Sequence, residues 1–267
     1  MQRHPRAKKS LGQNFLVDER FVARIISAVT PAAGETIVEI GPGTGALTER
    51  LLRSEAAVVA IELDRDMAPE LRERFKSYRN FSVIEADALT VNYRNLLPTD
   101  GSHLRLVANL PYNISTAILQ RLIEFRGCFS DLTLMFQLEV VERIIAPPGS
   151  SNRGFLTVTV EIFFDSQKLF DVPPSAFRPV PKITSAVVGL VPAETTVDDT
   201  DAFRNLVSTA FAHKRKTLLN NLKSEYQNAA AVLNQADIVD TNRRAESLKK
   251  GEWLALYGAV AKYREMR

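Results

Sequence analysis

The strongest constraint on this chain is a strand, a glycine turn and a helix written in immediate succession. Thr36-Ile-Val-Glu-Ile40 is a short run rich in branched apolar residues, and Gly41-Pro-Gly-Thr-Gly45 follows it directly. A helical pattern starts near Ala46. Glycines at such a turn let a backbone approach a ligand closely, and the helix start adds unpaired amides. Val58–Ile61, Phe81–Ile84, residues 104–108 and Leu132–Phe136 read as further buried strands. Helices are expected between them, over residues 65–77 and from Ser115, and an earlier one from an Asp18 N-cap to Val29. Alternation of this kind predicts a parallel sheet covered on both faces.

Later segments change character. Leu156–Phe164 and Ile183–Leu190 are expected as late strands around the proline-rich loop 172–182. Residues 192–201 are polar and acidic, and beyond them only helical patterns remain, carried by Phe203, Leu206, Val207, Ala210 and Phe211, by Leu218, Leu219 and Leu222, and by Trp253 to Tyr257. The expected organisation is an α/β, Rossmann-like domain over 1–195 and a small all-α domain over 196–267. A length of 267 residues accommodates both.

Composition narrows the chemistry. Cys128 is the only cysteine and there are three histidines, so neither a disulfide nor a zinc site is expected. The N-terminus lacks the apolar core of a signal peptide, and no apolar stretch approaches the roughly 20 residues of a membrane span. A cytoplasmic, monomeric protein is the expectation. The net charge of +3 conceals a polarity, with +4 over residues 1–9, +6 over 202–267 and −7 between them. Basic ends around an acidic body suit a polyanion held at the ends, although basic tails also serve solubility alone.

Spacing points to a cofactor. Glu62 ends the second strand about 20 residues after the glycine loop, where a carboxylate can take both hydroxyls of a ribose. Asp87 ends the third strand and can accept from an adenine amino group. Gly41, Gly43 and Gly45 lack the tail of the dinucleotide pattern, which favours S-adenosylmethionine over a pyrophosphate cofactor. Either acid alone is equally a strand-end turn former. Asn109-Leu-Pro-Tyr112 then ends the fourth strand. The Asn109 amide oxygen and the Leu110 carbonyl, before Pro111, can each accept a hydrogen from an aromatic amine, and Tyr112 can stack on its ring. Two acceptors drawing the amine towards a pyramidal geometry free its lone pair for attack. In isolation the tetrapeptide is also an ordinary turn with a proline.

The motifs Gln13-Asn-Phe-Leu16, Glu39 to Thr48, Asp87-Ala-Leu89, Asn109-Leu-Pro-Tyr112, Val172-Pro-Pro-Ser-Ala-Phe177 with Pro179-x-Pro-Lys182, and His213-Lys-Arg-Lys-Thr-Leu218 together resemble the KsgA/RsmA ribosomal RNA adenine dimethyltransferases. The likeness runs over essentially the whole chain and departs from it at Leu11, Leu138 and Phe155. It implies a Rossmann-like S-adenosylmethionine-dependent methyltransferase domain whose basic arm, residues 1–17, closes over the cofactor. Asn14 and Leu16 then line the pocket from the arm, Gly41 meets the methionine end, Glu62 the ribose and Asp87 the adenine, with Gly43 and Ala88 also counted among the cofactor-binding residues. Asn109 faces cofactor and target amine, while Tyr112 and Phe177 sandwich the target base.

The resemblance further implies two methyl transfers to each of two adjacent adenosines in a hairpin near the 3′ end of 16S rRNA, within the small (30S) subunit, with S-adenosylhomocysteine as product. Direct displacement suffices, with no metal, covalent intermediate or strong base. A phenylalanine in a proline-rich loop is often a core plug, but an extruded base needs an apolar wall, so stacking is expected of Phe177. Lys214, Arg215 and Lys216 are either a solvated helix face or a phosphate grip. The Erm enzymes, which methylate 23S rRNA, are one alternative. A chiefly non-catalytic small-subunit assembly factor is another.

Overall fold

A computed structural model describes residue 8, residues 12–111 and residues 114–265. Tyr112 and most of the basic arm lie outside the described residues. The order of elements is β1 (Phe15–Leu16), α1 (Glu19–Val29), β2 (Thr36–Ile40), α2 (Ala46–Leu52), β3 (Ala57–Glu62), α3 (Met67–Arg74), β4 (Phe81–Glu85), β5 (Leu104–Asn109), α4 (Ser115–Glu124), β6 (Phe129–Gln137), α5 (Leu138–Ile144), α6 (Phe155–Phe163), β7 (Phe164–Val172), β8 (Phe177–Arg178), β9 (Ser185–Pro192), α7 (Thr200–Phe211), α8 (Leu218–Leu222), α9 (Ala229–Gln235) and α10 (Lys250–Glu265).

Seven strands form one sheet in the order β4-β3-β2-β5-β6-β9-β7. Neighbours from β4 to β6 are parallel, whereas β9 runs antiparallel to β6, pairing Leu132 with Leu190 and Gln137 with Ser185. The five alternating strands are parallel as expected, and the late strand β9 makes the complete sheet mixed. The central strands are apolar on both faces because helices cover both. Ile37, Val38 and Ile40 of β2, and Leu106, Val107 and Ala108 of β5, are all buried.

Local chemistry sets the boundaries of the helices. The Asp18 carboxylate caps α1 by accepting from the Arg20 amide at 3.0 Å, and Thr30 closes the helix in a left-handed conformation. Gly45 opens α2 at φ +82°, where a Cβ would meet the Phe75 ring at 2.7 Å, so both conformation and space require glycine.

Residues 156–163, expected as a strand, fold as the helix α6. Every residue of Leu156–Phe163 except Glu161 is buried, so the apolar run carries no exposed stripe from which a helical period can be read. The Thr157 hydroxyl meets the Gly154 amide at 3.1 Å and fastens the first turn.

Two compact units emerge, Met1–Val141 with Ser166–Pro192, and Glu142–Asp165 with Ala193–Arg267. The expected boundary between 195 and 196 falls close to the last crossing, but residues 142–165 join the C-terminal unit. Inside that unit Phe163 meets Phe203 edge to face at 5.8 Å, as Phe203 meets Tyr257. The Arg153 guanidinium, 1% exposed, donates to the carbonyls of Ala146 and Leu248 at 3.0 Å each and to Glu161 at 2.5 Å. Partnering of this kind is what makes a buried guanidinium tolerable.

A second, two-stranded sheet joins β1 to β8, with Phe15 opposite Arg178 and Leu16 opposite Phe177. The amides of Val17 and Asp18 both reach the Ala176 carbonyl, at 2.9 and 3.2 Å. This pairing corrects the reading of Phe177. Its ring is 1% exposed in a core cluster with Leu16, Val172 and Ala176, so it presents no free face to a base. Pairing with β1 turns the side chain inward, and the core reading prevails. Phe177→Ala is expected to cost about 3–5 kcal/mol of stability, measured as a shift in denaturant midpoint. An unchanged midpoint would return the ring to the surface.

Candidate active site

One cavity opens beyond the carboxyl ends of β2, β3 and β5, inside the N-terminal unit. Its border includes Gly12 to Leu16 of the arm, Glu39 to Thr44 at the glycine turn, Ile61 to Leu63, Ala86 to Ala88, and Asn109 to Pro111. Asn14, Leu16, Gly41, Gly43, Glu62, Asp87, Ala88 and Asn109 are thus brought together, as are Leu110 and Pro111. Phe177 is not among them. Lys214, Arg215 and Lys216 belong to the C-terminal unit, where they lie exposed on the turn between α7 and α8 instead of on a helix face, and Lys214 Nζ donates to the Ser151 carbonyl at 2.6 Å.

The glycine turn carries three positive φ angles, +66° at Gly41, +57° at Gly43 and +82° at Gly45. A Cβ at Gly43 would stand 3.0 Å from the Phe15 ring, so the arm lies directly against the turn. Glu62, 5% exposed, receives the Gly43 amide on Oε2 at 3.3 Å and the Asp64 amide on Oε1 at 2.9 Å. Burial pushes its carboxyl up, and these amides partly oppose that. The Asp87 Oδ1 atom accepts from the Leu89 amide at 2.9 Å. Ile40, Ala88 and Leu110, all buried, contribute apolar surface to the cavity border.

Asn109 is fixed by the arm. Its Nδ2 donates to the Asn14 carbonyl at 3.2 Å, which assigns the amide nitrogen to the arm and leaves Oδ1 on the opposite side as an acceptor. The Leu110 amide is occupied by the Met135 carbonyl at 3.3 Å.

A sequence profile of ribosomal RNA adenine dimethylases matches residues 4–262. The chain belongs to this family. Membership makes it an S-adenosylmethionine-dependent rRNA adenine dimethyltransferase. Among its relatives, the ribosomal RNA small subunit methyltransferase A of Aromatoleum aromaticum is 41% identical, with 96% of this chain and 95% of that protein aligned. The protein of the same name from Hahella chejuensis is 46% identical over 81% and 80%. A crystal structure of a dimethyladenosine transferase from Plasmodium falciparum superposes with a TM-score of 0.80 at 30% identity, covering 94% of this chain and 98% of that one. The 23S rRNA methyltransferase ErmE superposes with a TM-score of 0.70 at 27% identity, covering 93% and 100%.

Glu39 escaped the sequence reading as a site residue. It lies on the cavity border, is 2% exposed, and its Oε2 accepts from the Thr48 hydroxyl at 2.6 Å. The available signal was a carboxylate in the middle of an otherwise apolar strand. Phe15 was likewise missed, although strand alternation places it opposite the core-facing Leu16.

Burial pushes the Glu39 carboxyl up to about 7, with Glu62 adding to the rise and the Thr48 hydroxyl opposing it. The folded protein therefore binds this proton more tightly than the unfolded chain does. The stabilisation is full below the ordinary value of 4.5 and is lost as pH rises through about 7. Stability should fall across that window by about 3 kcal/mol. Glu39→Gln should flatten the profile to the smaller slope left by Glu62, which is raised in the same direction. Denaturant titrations across the window measure both, and parallel profiles for the two proteins would remove Glu39 as the cause.

Proposed function

We propose that the cavity holds S-adenosylmethionine and that the chain dimethylates the exocyclic amines of two adjacent adenosines near the 3′ end of 16S rRNA in the small subunit. The observation that carries this reading is the Asn109 amide, fixed by the Asn14 carbonyl with its oxygen accepting no hydrogen bond among the described residues, at the edge of a cavity bordered by Glu62 and Asp87. Relatives at 41–46% identity named for the small subunit favour it over the large one, whose representative is 27% identical.

The residues present fit that cofactor. A carboxylate at a strand end suits a ribose diol, a second acid suits an adenine amine, and Gly41 and Gly43 on the cavity border hold positive φ angles that only glycine adopts without strain. When bound, S-adenosylmethionine supplies an electrophilic methyl group. The chain's part is to present the nucleophile. Asn109 Oδ1 accepts a hydrogen from the target amine and the Leu110 carbonyl offers a second acceptor. Together they hold the nitrogen with its lone pair out of conjugation. Acceptors remain useful after the first methylation, because neither contact needs both hydrogens to survive. Catalysis on this account is positioning and electrostatics. Tyr112 supplies the stacking face, and Lys214, Arg215 and Lys216 supply positive charge for the RNA backbone.

Transfer of labelled methyl to small subunits lacking the modification, with large subunits and naked rRNA in parallel, tests the substrate. Label should map to paired dimethyladenosines of the small subunit. Label confined to large-subunit RNA would reassign the substrate, and cofactor binding without label would leave an assembly role. Asn109→Ala should lose transfer by about 100-fold or more while still binding cofactor. Normal turnover in that variant would overturn the role given to the amide.

A further inference from the structure

Asp64 is the most heavily used acceptor beside the cavity, although it does not border it. Its side chain is only 2% exposed. Oδ1 accepts from Lys8 Nζ at 2.5 Å and from the Asp66 amide at 3.0 Å, and Oδ2 accepts from Gln13 Nε2 at 3.0 Å. Lys8 Nζ also meets Asp66 Oδ2 at 2.6 Å, and the Lys8 amide donates to Gln13 Oε1 at 2.8 Å. An enclosed carboxylate needs a counter-charge and filled lone pairs, and residues of the arm supply the charge and one of the donors. Burial alone would push the Asp64 carboxyl up. Hydrogen bonds from Lys8, the Asp66 amide and Gln13 outweigh it and hold the group below its usual range, so the pair stays charged.

Two lines run from this hub to the cavity. The Asp64 amide donates to Glu62 Oε1, so the turn that carries Asp64 also sets the carboxylate facing the ribose position. Gln13 leads directly into Asn14, whose carbonyl fixes Asn109. The arm is thus fastened on both sides of the cavity mouth. On one side the fastening is backbone pairing between β1 and β8, which does not depend on charge. On the other it is Lys8 and Gln13 against Asp64.

We propose that the Lys8–Asp64 ion pair is a latch, a positioning pair that holds the arm across the cavity and sets Glu62, and so governs how long the cofactor and its product stay bound. The proposal rests on the reading of the cavity as the S-adenosylmethionine site. A decorative surface pair of the same length would contribute little. Here one partner is enclosed and is bonded through its own amide to a cavity carboxylate. Loss of the ammonium therefore leaves Asp64 buried without its counter-charge and, among the described residues, the arm held by Gln13 on that side.

Calorimetric titration and stopped-flow release of S-adenosylhomocysteine from the full chain test this, using wild type, Lys8→Gln, Lys8→Arg, Asp64→Asn and the Lys8→Gln/Asp64→Asn double variant. Lys8→Gln should weaken binding by about tenfold, mainly through faster release. Its ligand-free thermal midpoint should fall, because Asp64, 2% exposed, is left without its counter-charge. Lys8→Arg should restore the midpoint along with most of the affinity. The double variant should lose no more than Asp64→Asn alone, as expected for two halves of one interaction. In methyl transfer the loss should fall on KM for the cofactor more than on kcat. Wild-type affinity and release in Lys8→Gln, or losses that simply add in the double variant, would overturn the latch alone. A wild-type protein that does not bind S-adenosylhomocysteine would remove the cofactor reading and the latch with it.

Discussion

The backbone pairing of Phe15–Leu16 with Phe177–Arg178 is the contact on which the site depends. Strand ends of an open sheet form a floor and one wall, not an enclosure. The opposite wall has to come from elsewhere in the chain, and an arm of a few residues loses its conformational freedom only if something holds it. Here a short ladder, a buried Leu16 and the buried ring of Phe177 hold it. With the arm in place the Phe15 ring lies against Gly43 and the Asn14 carbonyl reaches Asn109. Removing the ladder would leave the glycine turn, Glu62 and Asp87 intact but open to water.

Electrostatics are arranged around the same enclosure. Glu39 and Glu62 are both raised, chiefly by burial, while Asp64 a few residues away is held low by its partners. The difference lies in what each carboxylate receives. Asp64 has an ammonium, an amide and a side-chain amide donor. Glu62 has two backbone amides, and Glu39 has one hydroxyl. Acids left short of donors in a small cavity are suited to a ligand that brings hydroxyls, amino groups or positive charge.

Much of this was legible in the amino-acid sequence, and the misses have physical causes. The glycine turn, the acids at Glu62 and Asp87, and Asn109 were readable because strand ends are marked by a change from branched apolar residues to polar ones. The Asp18 cap was readable because capping is local. α6 was not, because a helix buried on nearly all sides has no polar stripe and its threonines and valines imitate a strand. The antiparallel placement of β9 depends on pairing across the sheet, which composition does not encode. Phe177 was misassigned because a two-residue strand leaves no periodicity, and its inward direction is decided by a partner some 160 residues earlier in the chain. The basic cluster at 213–216, for which a helix face was one of two readings, lies on a turn, with Thr217 capping the helix that follows.

The discontinuous C-terminal unit has a consequence for synthesis on the ribosome. Residues 142–165 emerge well before the helices against which they are stabilised. Arg153 waits 95 residues for the Leu248 carbonyl. At about 5–20 residues per second that interval is about 5–20 seconds. Throughout it Leu156, Val158, Val160, Ile162 and Phe163 belong to a nascent chain that lacks its native partners. The sheet-forming unit is under no such delay once β9 has been made. For those seconds the nascent chain therefore carries an apolar helix in need of protection.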